Sequence, residues 1–361
     1  MSFPFLQPYA GLGNSLQTAQ ASGGAGGVGG WVELGRTTLG SAGDALQSGT
    51  VDGKKYLWLI ASYENNAAAD INALPRFNAD SGSNYATRYS INGASDTTRT
   101  SRTWCDIESG GQTERFANMF IANNASKEKL CICHQMDGGT AGSGNSPNRW
   151  NSVSKWTNTS NQITSIEWDQ RDGGDYASGA ELVVLGYDPA DTHTTNFWQE
   201  LASVTLGTDG DNLSSGTISA KKYLWVQAFI KNAGDTARFN TQVTFNNDTS
   251  GNYAMRRSFD GGADSTSTGA SNLFSSGVTG SNDDLWCMNL FIVNNSANEK
   301  LCIAHGFDTY IGSGAGFAPS QRYEAVGKWA NTSSQITEID ITNSDTSNYD
   351  AISELRVWGA D

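Results

Sequence analysis

The feature that most constrains this chain is that it is written twice. Trp31–Leu59 (WVELGRTTLGSAGDALQSGTVDGKKYLWL) returns without a gap as Trp198–Val226 (WQELASVTLGTDGDNLSSGTISAKKYLWV), an offset of 167. Phe77–Asp96 returns as Phe245–Asp264, Met119–His134 as Leu290–His305, and Lys155–Glu167 as Lys328–Asp340. Glu181–Gly186 matches Glu354–Gly359, by which point the offset has grown only to 173. Solenoid units repeat every 20–50 residues or so, so a period this long marks a whole domain. The chain therefore divides into residues 1–30, which have no counterpart, a first module at 31–189 and a second at 190–361.

Each copy reads as all β. Eight candidate strands in the first copy are bounded by Gly, Asn, Asp and Ser clusters: Trp31–Leu39, Lys55–Glu64, Leu74–Asn78, Ala86–Asn92, Arg115–Asn124, Lys129–Asp137, Gln162–Gln170 and Glu181–Asp188. YLWLIA, NMFIA and KLCIC are apolar strings too short for helices, and they read as strands buried on both faces or central in a sandwich. No stretch keeps a 3.6-residue apolar period. The expectation is an all-β chain of two tandem jelly-roll-like antiparallel sandwiches behind an extended N-terminal arm. That arm carries the apolar, Pro-punctuated Phe3–Leu12 and a Gly-rich joint at Ser22–Gly30. Phe3, Phe5, Leu6 and Tyr9 are its docking candidates, either on a neighbouring subunit or back on the first module.

Charge narrows the partners. A net charge of -14, from 23 basic against 37 acidic residues, argues against coating nucleic acid, which needs a basic face. No apolar run approaches membrane-spanning length. MSFPFLQPYAGLGN has neither the basic nor the apolar region of a secretory signal, and the five Cys form no disulfide framework. Synthesis in a reducing cytoplasm is expected, with the thiols as small buried hydrophobes.

Three signatures recur in both copies. F-N-x-D-x-x-x-N-Y-A-x-R, at Phe77–Arg88 and Phe245–Arg256, reads as an Asx-rich turn in which Gly82 or Gly251 takes positive φ. Its Asp80 and Asn84, with Asp248 and Asn252, are secondary calcium candidates, although hard cations want more than one carboxylate. N-N-x-x-x-E-K-L-C-I-x-H, at Asn123–His134 and Asn294–His305, reads as a hairpin with Glu128 and Lys129 solvated at its tip, and the histidines as structural hydrogen-bonders. K-W-x-N-T-S-x-Q-I-T, at Lys155–Thr164 and Lys328–Thr337, sets Trp156 and Trp329 beside amides and hydroxyls. Such rings either close a core or form a platform for a host glycan. No G-x-S-x-G elbow, HExxH or P-loop occurs, so neither catalysis nor a cofactor is expected.

R-F-N-x-D-S-G-x-N-Y-A-x-R-Y-S (Arg76–Ser90), T-A-G-S-G-N-S-P-N-R (Thr140–Arg149) and K-W-x-N-T-S-x-Q-I-T together resemble virion-associated proteins of tailed bacteriophages, marine ones especially. In the second copy the first Arg becomes Thr244 and S-P-N-R becomes A-P-S-Q-R (Ala318–Arg322), so those loops have diverged. The resemblance implies a non-enzymatic β-sandwich component of the virion, made in the host cytoplasm. Its partners would be other virion proteins of capsid, neck or tail, and further copies of itself on the particle. Two roles fit: a capsid decoration (cement) protein, or a tail-fibre or head-fibre adhesin for surface glycans.

Overall fold

Why the apolar strings are continuous becomes clear once the sheets are traced. The computed structural model describes residues 30–66, 72–106, 114–171, 173–192, 195–234, 239–278, 285–309 and 321–361. The first module runs β1 (Val32–Thr38), β2 (Ala45–Gln47), β3 (Tyr56–Tyr63), β4 (Ala73–Phe77), β5 (Tyr85–Ile91), β6 (Thr97–Arg102), β7 (Arg115–Ala122), β8 (Lys129–Asp137), β9 (Asn148–Trp156), β10 (Ile166–Gln170) and β11 (Glu181–Tyr187). The second runs β12 (Gln199–Thr205), β13 (Asn212–Ser214), β14 (Tyr223–Lys231), β15 (Phe239–Phe245), β16 (Tyr253–Phe259), β17 (Ser265–Ala270), β18 (Leu273–Val278), β19 (Leu285–Val293), β20 (Lys300–Asp308), β21 (Gln321–Trp329), β22 (Ile339–Asn343) and β23 (Glu354–Ala360). No helix occurs among the described residues.

Each module is an antiparallel sandwich with unequal leaves. The large sheets are ordered β1-β11-β3-β7-β8-β9-β5-β6 and β12-β23-β14-β19-β20-β21-β16-β17, the same order strand for strand. The small sheets are β2-β10-β4 and β13-β22-β15-β18. Among the described residues no sheet mixes strands from the two modules. Inside the first sandwich, Leu57, Leu59, Met119, Cys131 and Leu182 of the large sheet meet Leu46, Phe77, Ile166 and Trp168 of the small one. At Gly186 of β11 an added Cβ would lie 2.4 Å from Leu34 and 2.7 Å from Lys54, and Gly359 of β23 meets Leu201 and Lys221 in the same way. The glycines let the edge strand close on the sheet, which accounts for their recurrence at matching positions.

Three strands escaped the sequence pattern in the first module. β2 is three residues long, and β6 (TTRTSR) is a polar edge strand with little apolar content to reveal it. β9 (NRWNSVSKW) alternates buried and open positions, but its inward residues include Ser152 and Ser154, so the hydrophobic signal is weak. Ser154 reaches Thr87 of β5 with 2.8 Å between hydroxyls, which replaces apolar packing there.

The outer faces of the two large sheets are packed on each other. β3 sends Leu57, Leu59 and Ala61 inward, while Trp58 and Ile60 enter a second core shared by both modules. β14 divides the same way, with Leu224 and Val226 inward and Tyr223 and Trp225 in the shared core. Strands buried on both faces have no polar side to show, so they read as unbroken apolar runs. In this joint like touches like. Trp58 lies 5.8 Å from its repeat counterpart Trp225, Phe120 lies 6.4 Å from Phe291, and His134 lies 4.1 Å from His305. Contacts between equivalent positions make the packing approximately two-fold within one chain, but it covers Leu301, Ile303 and Val326 while their counterparts Leu130, Ile132 and Val153 stay open.

Trp58 holds the centre. Its ring stacks on Phe120 at 4.7 Å and also meets Trp198 at 5.2 Å and Phe291 at 5.4 Å, while its indole N–H donates to Asn118 of β7. The counterpart Trp225 donates to Asn289 at 2.5 Å. Trp58→Ala is expected to cost about 3–5 kcal/mol, the usual loss for emptying a core aromatic site. Because the cavity opens between modules, thermal unfolding should also separate into two transitions. A single transition at the unchanged temperature would show that the joint contributes little.

Candidate functional site

The joint is also where the unusual polar chemistry collects. Arg149, at the end of the T-A-G-S-G-N-S-P-N-R segment, is buried and reaches the second module. It sits 2.6 Å from Asp264 and 2.7 Å from Glu324. The same segment supplies backbone acceptors: Thr140 O to the Lys328 ammonium at 2.7 Å, Ser143 O to the Gly269 N–H at 2.7 Å, and Pro147 O to Arg256 Nε at 2.8 Å. A loop rich in Gly and Ser with open carbonyls is suited to such edge-on docking. Nothing in its sequence indicates that those partners lie in the other module.

A second polar cluster closes the far side. Glu181 of β11 accepts from Arg36 Nη1 at 2.8 Å and from the Tyr223 hydroxyl at 2.7 Å, with the Lys222 ammonium 3.0 Å away. Burial pulls this carboxyl upward, but Thr38, Lys222 and Tyr223 outweigh it and leave it below its ordinary range. Four groups from two modules thus converge on one buried carboxylate, which fixes the register of the joint.

Beside it lies a polar cleft of about 320 Å³, whose lining includes Glu64, Glu114, Arg115, Lys222 and Asn298. Glu114 accepts from the Glu299 backbone N–H of the opposing module at 3.3 Å. Burial, then the charges of Glu64 and Glu299, push the Glu114 carboxyl up to about 8. Burial likewise brings the Lys300 ammonium down to about 8, against the pull of Glu114 and Glu299. These groups act on one another across the joint.

The aspartates and tryptophans singled out in the repeated signatures have definite places. Asp80 and Asp248 organise turns: Asp80 accepts from the Gly82 N–H at 2.9 Å, from Asn84 Nδ2 at 2.9 Å and from the Trp156 indole N–H at 2.7 Å. At Asp248, burial raises the carboxyl, but Ser250, Asn252 and the Trp329 indole bring it down to about 2. Donors, Asn84 and Asn252 among them, thus engage both aspartates of the calcium candidates. Trp156 and Trp329 are only 1% exposed, stacked on Tyr85 and Tyr253. They are core rings, and the glycan-platform expectation gives way because no ring face is open to a sugar.

The hairpin expectation needs two corrections. Lys129 and Lys300 are fully buried rather than solvated. The Lys129 ammonium donates to Lys127 O at 2.9 Å and Asn158 O at 2.8 Å and lies over the Trp156 ring. Asn123 is buried too, bonded to Lys54 O, Ile163 O and the Ile163 N–H. In the first F-N-x-D turn the left-handed residues are Asn78 and Ala79, both with φ 52°, rather than Gly82, whereas Gly251 in the second does take φ 77°. Asn78 accepts the Thr164 and Ser165 N–H groups, tying the turn to the segment after β9. The arm candidates Phe3, Phe5, Leu6 and Tyr9 lie outside the described residues.

No protein family and no curated protein matches this chain. Among solved structures it is similar to domains LG4-5 of the mouse laminin alpha1 chain, at 9% identity and TM-score 0.18, over 91% of this chain and 89% of that one. It is also similar to the CBM22-1-CBM22-2 tandem domain of Paenibacillus barcinonensis Xyn10C, at 8% identity and TM-score 0.14, over 88% and 93%. Likenesses this weak say nothing about function.

The Glu114 cluster makes the joint pH-dependent with a definite sign. The unfolded carboxyl loses its proton near its ordinary 4.5, whereas the folded one keeps it to about 8. Below 4.5 neither state is penalised; between the two values folding must retain a proton that the unfolded chain releases, so stability falls as pH rises. Melting temperatures of Glu114→Gln should lose that decline between pH 5 and 8, relative to the native chain. Equal slopes in the two proteins would remove Glu114 from the account.

Proposed function

We propose that this chain is a non-catalytic structural component of a tailed-bacteriophage particle, acting as a capsid decoration protein. The observation that carries the reading is how the large sheets are used. Their outer faces, the surfaces a sandwich most readily offers to a ligand or substrate, are in large part spent on each other. The result is two sandwiches locked into one block by an aromatic core and a rim of cross-module ion pairs.

A rigid block of this kind suits a mechanical role. A capsid under internal pressure is strengthened by any protein that buries surface across the junctions between its subunits, and about 1,600 Å² is enough for specific attachment. Net charge of -14 on the chain would keep decorated particles apart. The polar clusters support this reading rather than an enzymatic one, because Glu181, Arg149 and Glu114 are each engaged across the joint. Phage origin rests on the three sequence motifs. One of them, Thr140–Arg149, supplies the loop by which the first module grips the second.

Particles lacking the protein are expected to release DNA at a lower temperature than complete ones. Added full-length protein should restore the difference, and electron microscopy should place it on the head. Release at the same temperature with and without the protein would rule out the cement role. Density confined to a fibre would replace it with attachment to the host.

A further inference from the structure

The joint leaves part of the first module's outer face open. Leu130 and Ile132 of β8 and Val153 of β9 are 58%, 50% and 50% exposed. Ile132 pairs with Val153 on one side and with Phe120 of β7 on the other, so these side chains form one apolar strip across neighbouring strands. Their repeat counterparts Leu301, Ile303 and Val326 are 1–2% exposed, covered in the joint. Single exposed apolar residues are ordinary on a protein surface. A contiguous strip whose twin is buried in an internal interface is a docking surface without its cover.

The position of the chain entry points to the occupant. Residues 1–29 contain no Asp, Glu, Lys or Arg, and they include Phe3, Phe5, Leu6, Tyr9 and Leu12. The described chain begins at Gly30, where an added Cβ would lie 2.9 Å from Asn196. Trp31 then packs edge-on to Trp58 at 5.5 Å and to Phe120 at 6.4 Å. Trp31 leads into β1, four strands from β8 in the large sheet, so the arm enters about 20 Å from the strip. The Gly-rich Ser22–Gly30 can extend to about 30 Å, enough to cross that distance. A tether that short also holds the arm at high effective concentration over its own strip, ahead of the strip on any other copy. Pro4 and Pro8 remove two backbone donors and stiffen the segment, which favours side-chain contact over the strip rather than an added strand.

We infer that Phe3–Leu12 seats on the Leu130–Ile132–Val153 strip of the same chain. This inference is independent of the particle reading, since it concerns the isolated protein. Attachment to any partner through the arm would then uncover the strip as well.

The test is a photo-crosslinker, p-benzoylphenylalanine, placed at Phe5 in the full-length chain, with products mapped by mass spectrometry. Expected are intrachain crosslinks to β8 and β9 whose yield does not change over a tenfold dilution. Ile132→Asp combined with Val153→Asp should lower that yield at least tenfold, while Ile352→Asp, at an exposed apolar site in the second module, should not. If the double aspartate variant does not fold, Ile132→Thr with Val153→Thr replaces it, with the same expectation. Crosslinks elsewhere on the chain, crosslinks found only in a dimer, no crosslinks, or a yield indifferent to the strip variants would each overturn the inference.

Discussion

Everything in this molecule leans on one packed interface, that of two large β-sheets meeting through their outer faces around Trp58 and Trp225. An eight-stranded sheet has two faces, and a three- or four-stranded leaf covers only one of them. The other face must be polar, covered, or prone to association. Here the repeat solves the problem internally, because each module covers much of the other. The rings supply the area, and Trp–Asn hydrogen bonds satisfy the indole donors of Trp58 and Trp225.

The rim of the joint contributes specificity more than energy. Arg149 and Glu114 are held by groups of the opposite module and Glu181 by groups of both, so a shift in register would leave buried charges without partners. The histidines illustrate the same constraint. His134 and His305 lie ring against ring, and burial holds both below their ordinary range, with Asn151 at 3.1 Å from His134 Nδ1. Burial, and for His305 the neighbouring His134, disfavour a positive charge on these rings.

Much of the fold was legible in the sequence, and for identifiable reasons. The repeat announced two modules because counterpart residues do the same work in each: the Phe77 and Phe245 turns, the Asn123 and Asn294 amides, the Gly186 and Gly359 close approaches. YLWLIA reads as a strand buried on both faces, which β3 is, whereas KLCIC at the start of β8 leaves Leu130 and Ile132 open. What stayed hidden was the second face's partner, since a run apolar on both sides does not say which neighbour covers it. Lys129 was misplaced because a lysine beside a turn is normally solvated, and only the fold brings three carbonyls and the Trp156 ring around its ammonium. Trp156 looked able to serve a sugar because neighbouring amides and hydroxyls are equally what a buried turn requires.

Differential scanning calorimetry of the full chain tests the central claim most directly. If the aromatic joint welds the sandwiches into one unit, unfolding is a single transition whose calorimetric and van't Hoff enthalpies agree. Two resolved transitions, or a calorimetric enthalpy about twice the van't Hoff value, would mean that the modules unfold separately and that the joint is only a contact.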